Sequence, residues 1–118
     1  MNIEKIQQHY EHAKQKHPNF CNRLCPIEIP ATDAIRHTAI TLSFLRKEIQ
    51  IDEKNDRLMW DSILNCEVWE VHEAIALGHP EFAVEECYDA IAVLLRVIDV
   101  LEGRQPLGNP IRSFPKKQ

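Results

Sequence analysis

A chain of 118 residues is long enough for one hydrophobic core and too short for two. Its 44% hydrophobic content excludes a disordered chain. A net charge of −4 is a poor footprint for nucleic acid or an anionic membrane. Only 3 glycines are present and long stretches lack turn residues, which points to helices rather than many short strands.

The first predicted helix runs from about Asn2 to Lys16, with Ile3, Ile6, Tyr10 and Ala13 at helical spacing. His17-Pro18 should stop it, because the residue before proline is pushed out of the α region. Residues 18–31 contain Pro18, Pro26 and Pro30 and read as an irregular connection. A second helix is expected from an N-cap at Thr32 or Asp33, fading at Asp52–Asn55. A third is expected from near Asp56, ending at Gly78, a suitable C′ residue. Pro80 suits the first turn of a fourth, which should stop at Gly103. The expectation is therefore an all-α domain over residues 1–103, of four-helix-bundle type, with a proline-containing tail over 104–118 that packs as an extended arm or frays.

No stretch approaches the roughly 18 apolar residues of a membrane span, and MNIEKIQQHYEHAK has no apolar segment of the secretory kind. Cys21, Cys25, Cys66 and Cys87 are too sparse for a disulfide framework. They read as reduced thiols in a cytoplasmic protein.

The informative stretch is CEVWEVHEAIALGHPEFAVEECYDAIAVLLRVID, Cys66 to Asp99, which sets carboxylates into two apolar helices. On a wheel at about 100° per residue, Trp60, Ile63, Leu64, Val68, Val71, Ala74 and Ile75 share one arc. Glu67 falls near the middle of that arc, Glu70 at its edge, and Glu73 outside it, facing water. On the fourth helix, apolar almost all round, Glu86 falls between Val93 and Val97 with Asp89 one turn along. Such a helix needs neighbours or a second subunit on most sides. Ionised carboxylates are costly to bury unless paired or bound to metal, and four on adjacent helices repel one another. A hard divalent cation such as Mg²⁺ resolves both problems, since it takes oxygen ligands and keeps waters. Spacing of three residues puts each pair on one helix face. The competing reading is that such pairs are solvated surface, as most are.

These residues resemble the ExxE…ExxD signature of the MazG-like nucleotide pyrophosphohydrolases. Glu67-x-x-Glu70 is followed, after 15 intervening residues, by Glu86-x-x-Asp89, and the likeness covers about Leu58 to Leu101. The resemblance implies an all-α enzyme that hydrolyses nucleoside triphosphates to monophosphate and pyrophosphate with Mg²⁺, for which Mn²⁺ can substitute. It also implies a homodimer or homotetramer whose subunits complete one another's bundles; the net charge of −4 argues against nucleic acid or a membrane as partner. It makes Glu67, Glu70, Glu86 and Asp89 the metal ligands, with Glu67 and Glu70 catalytic. Two departures stand out: Cys66 replaces an acidic residue common before the first motif glutamate, and Arg96 replaces an Asn found one helical repeat past the final Asp.

Around this cradle, Arg96 either neutralises phosphate or pairs with Asp99 at i+3, and the ion pair is the expected use. Lys47, Lys54 and Arg57, near the junction of the second and third helices, could reach a triphosphate. Trp60 lies two turns before Glu67 on the same face and could stack on a base, although a core position is the commoner use of tryptophan. Phe20 and Phe44 are weaker candidates. His9, His12, His17, Cys21 and Cys25 offer zinc-ligand chemistry but no CxxC pair. The non-enzymatic alternative is a helical dimerisation module whose acids are paired by Arg36, Arg46 or Arg96.

Overall fold

The computed structural model describes residues 2–25 and 30–104; the predicted arm beyond 104 and Pro26 lie outside them. Among the described residues the chain is all-helical, with no strand: α1 Ile3–Lys16, a 3₁₀ turn at Phe20–Asn22, α2 Ala31–Lys54, α3 Trp60–Ala76 and α4 Pro80–Leu101. No helix among them is long and apolar enough to cross a membrane.

Asn2 caps α1, its side chain accepting the Lys5 N–H at 3.0 Å. α2 starts earlier than its polar residues suggested. Pro30, not Thr32 or Asp33, occupies the N-cap without a side-chain bond, and its carbonyl accepts the N–H groups of Asp33 and Ala34 at 3.0 and 3.1 Å. Asp33 instead lies in the first turn, where its charge complements the helix dipole.

The start of α3 near Asp56 is also corrected, to Trp60. The cause is the way α2 ends. Asp56 takes a left-handed φ of 56°, the Asp56 N–H bonds back to the Glu53 carbonyl, and the Arg57 N–H bonds to that of Asp52 at 2.8 Å. That is a Schellman closure built on an aspartate rather than a glycine. The same closure ends α3 at Gly78, where φ is 74° and the His79 N–H reaches the Ala74 carbonyl at 2.9 Å.

Packing is organised around α3, which lies against α2 on one side and α4 on the other; α2 and α4 do not meet. Leu42 on α2 is fully buried (0% exposed), and Thr38, Cys66, Ala74 and Ala83 are buried with it. Thr38 satisfies its hydroxyl by donating to the Ile35 carbonyl at 2.9 Å. The core is thin. α1 touches none of the other helices, and Tyr10 on it is 63% exposed. Among the described residues α4 is covered by α3 alone and leaves Val84, Tyr88, Ile91, Leu94, Ile98 and Leu101 exposed. Steps of three and four residues line these up as one apolar stripe along the helix.

Candidate metal centre

The Gly78-His79-Pro80 turn folds α4 back along α3. In an antiparallel hairpin, residues equally far from the turn come opposite one another. Glu70 and Glu86 are each eight residues from Gly78, and Glu67 and Asp89 are each eleven. The structure follows that register: carboxylate oxygens of Glu67, Glu70 and Glu86 lie within 4.8 Å of one another, and all three residues are half-buried. Asp89 is exposed and outside this trio, although its charge reaches both Glu67 and Glu86.

Among the described residues one cation faces the group. Arg46 crosses from α2, its Nη2 3.6 Å from Glu70 Oε1. The buried Cys66 thiol points at the same oxygen, 3.7 Å away. Burial and the neighbouring Glu70 push that thiol up to about 11, so it stands as a neutral donor. Oε2 of Glu67 and Oε2 of Glu86 are buried with no hydrogen-bond partner. Leaving such oxygens unsatisfied is costly, more so when they are charged.

The electrostatics express the same crowding. Glu86 is pushed up to about 7, first because a protonated carboxyl there can bond to Glu70 while an ionised one cannot, then by burial and by the charges of Glu70, Asp89 and Glu67. Glu67 is raised by burial, by Glu70 and by Asp89, with Arg46 pulling the other way. Protons, a guanidinium and a metal ion are the three things that relieve packed carboxylates. The all-oxygen donor set, with two unpartnered buried oxygens, fits a hard divalent cation. Among the described residues this trio is the only group of three or more His, Cys, Asp or Glu side chains close enough to share an ion.

The other predicted site residues are scattered. Glu73 is half-buried rather than facing water, and it is not in the trio. Trp60 is 48% exposed, so the expected core position is overturned; as the first residue of α3, it lies roughly 10 Å along the axis from Glu67. Lys54 and Lys47 are exposed on α2, and Arg57 pairs with Asp52 at 3.6 Å. The Arg96–Asp99 pair is not formed. Beyond the left-handed turn at Gly103, Arg104 folds back onto Asp99 at 3.5 Å and Glu102 at 2.6 Å. Arg96 is exposed, two turns from Asp89. Phe20 and Phe44 are exposed.

Two features escaped the sequence reading. Trp69 is flanked by His37 of α2 and His72, with ring centroids 5.4 and 4.8 Å away. The Trp69–His72 spacing could have signalled half of this; the His37 contact crosses helices and could not. An open cleft between α2 and α3 is lined by Leu45, Glu48, Ile49, Asp61, Ser62 and Asn65.

No protein-family model, curated protein or solved structure matches this chain.

Proposed function

We propose that the chain is a Mg²⁺-dependent hydrolase that cleaves nucleoside triphosphates to monophosphate and pyrophosphate. The observation that carries this reading is the pair of buried, unpartnered carboxylate oxygens of Glu67 and Glu86 in a trio that, among the described residues, only one guanidinium faces. The resemblance of Glu67-x-x-Glu70 and Glu86-x-x-Asp89 to the MazG-like signature supports it and supplies the reaction class. Glu67, Glu70 and Glu86 would hold Mg²⁺ or Mn²⁺, with Asp89 completing the set from the rim. The bound ion would offset charge on the phosphates and on the leaving pyrophosphate. One of these four carboxylates would serve as general base in place of ligating, taking the proton of the attacking water as the new P–O bond forms and pyrophosphate departs. The half-buried trio keeps the ligands in place through the α3–α4 hairpin, so little reorganisation is needed when substrate arrives.

In this reading the protein is cytoplasmic, with its thiols reduced, and acts as a homodimer or homotetramer. The exposed stripe from Val84 to Leu101 supports a second copy, since the described residues of one chain leave it to water.

Arg46 against Glu70 favours a second reading, in which the chain is a non-catalytic dimerisation module with ion-paired acids. One guanidinium at 3.6 Å does not satisfy the remaining carboxylates, so the metal reading is preferred. Pyrophosphate release from a panel of canonical and damaged nucleoside triphosphates, with Mg²⁺ and with chelator, separates the two. Glu67→Gln should abolish Mg²⁺-dependent release while the helical circular dichroism persists. Undiminished turnover in that variant sinks the assignment, and a wild type indifferent to Mg²⁺ and nucleotide supports the module.

A further inference from the structure

We propose that Arg46 is a phosphate-binding residue of this site, which guards Glu70 while the site lacks a cation and turns to the substrate's phosphates once the cation arrives. This rests on the metal reading above. Arg46 stands on a different helix from every acid of the trio, and its side chain is 53% exposed against 23% for Glu70. A solvated cation therefore overlies a half-buried carboxylate. At 3.6 Å the contact is one of charge rather than a close hydrogen bond, so it holds the guanidinium loosely.

The other basic side chains are elsewhere. Arg57 is held by Asp52, and Arg104 by Asp99 and Glu102. Arg36 lies ten residues up α2 from Arg46, roughly 15 Å along the axis. Arg96 is two turns beyond Asp89. Among the described residues, no other cation lies within 4.0 Å of the trio's carboxylates.

With a divalent ion held by the trio, Glu70 would be neutralised without Arg46, and the guanidinium would be repelled from it. A nucleoside triphosphate then brings more negative charge than one divalent ion cancels. The planar fork of arginine fits phosphate oxygens in bidentate fashion, which a lysine ammonium does not. Arg46 thus has opposite effects on the two ligands: it competes with the metal and assists the phosphates.

The test titrates wild type, Arg46→Ala and Arg46→Lys with MnCl₂ alone by calorimetry, at a pH of about 8, where protons compete little for the carboxylates. The Mn²⁺-loaded proteins are then titrated with a non-hydrolysable triphosphate analogue. Arg46→Ala should bind Mn²⁺ about two- to fivefold more tightly, the scale of losing an exposed ion pair that competes for Glu70. The same variant should bind the triphosphate about 10- to 100-fold more weakly, the scale of a lost charge-assisted contact. Arg46→Lys should keep wild-type metal affinity and recover part of the triphosphate affinity. Weaker Mn²⁺ binding in Arg46→Ala would make Arg46 a mere prop for Glu70 and overturn the proposal, as would unchanged triphosphate affinity. Wild type that binds no Mn²⁺ overturns the metal reading itself, and the role of Arg46 with it. Circular dichroism melts in EDTA confirm that each variant is folded.

Discussion

Replacing Glu86 by glutamine should stabilise the metal-free protein and disable the metal-loaded one. Glu86 holds its proton to about 7 rather than the ordinary 4.5, because a protonated carboxyl can bond to Glu70 and an ionised one adds to the charge of Glu67, Glu70 and Asp89. Between those two values the folded protein holds a proton that the unfolded chain has released. Stability therefore falls as pH rises from about 4.5 to about 7 and levels off above, and Glu67, raised in the same direction, adds to the slope. A pH unit is worth about 1.4 kcal/mol, and solvent at this half-buried site screens roughly half of it, leaving about 1–2 kcal/mol against the charged form. The glutamine amide keeps a donor for Glu70 and never ionises. In EDTA at a pH of about 8 the Tm of Glu86→Gln should exceed wild type by about 4–8 °C, while near pH 4.5 the two should coincide. Saturating Mn²⁺ should reverse the order, since an ion at about a hundred times its Kd adds about 2.7 kcal/mol to wild type and the substitution removes a ligand. Thermal melts at both pH values, with EDTA and with MnCl₂, read all of this. A Glu86→Gln protein destabilised equally at both pH values, or a wild-type Tm in EDTA that climbs between about pH 5 and 7, would refute the reasoning.

The α3–α4 register depends on the left-handed turn at Gly78. An added Cβ there meets nothing within 4 Å, so Gly78→Ala should cost only its backbone strain at φ +74°, about 1–2 kcal/mol by chemical denaturation, with metal affinity reduced in parallel. A loss much larger than that would mean the turn has contacts beyond its own backbone. Leu94, 44% exposed on the α4 stripe, should tolerate Asp within one chain but not between two. Leu94→Asp is expected to convert an oligomer into a monomer by light scattering, and an unchanged mass would move the interface off α4.

Helix existence and helix ends were largely legible from residue order, because they depend on contacts within a few residues. The break at Gly78-His79-Pro80, the stop at His17-Pro18 and the closure at Gly103 each follow from local backbone chemistry. The exceptions are also local but subtler: Asp56 took a conformation more typical of glycine, and Pro30 capped α2 in place of the polar residues after it. Both shifted boundaries by a few residues without changing the element order.

The meeting of Glu70 and Glu86 was latent in the sequence too, since it needs only equal distances from a tight turn. Wheel arcs alone hid it, because they treat each helix by itself. What residue order could not decide is everything that depends on how α2 crosses α3. That crossing brings Arg46 to Glu70 and His37 to Trp69. The same tertiary arrangement leaves Trp60 in solvent and Glu73 half-buried. Among the described residues α1 and the outer stripe of α4 are uncovered. Helical periodicity reports which residues share a face, but not which faces meet. That choice rests on the sum of many weak side-chain contacts between segments far apart in the chain, and only the tertiary structure expresses it.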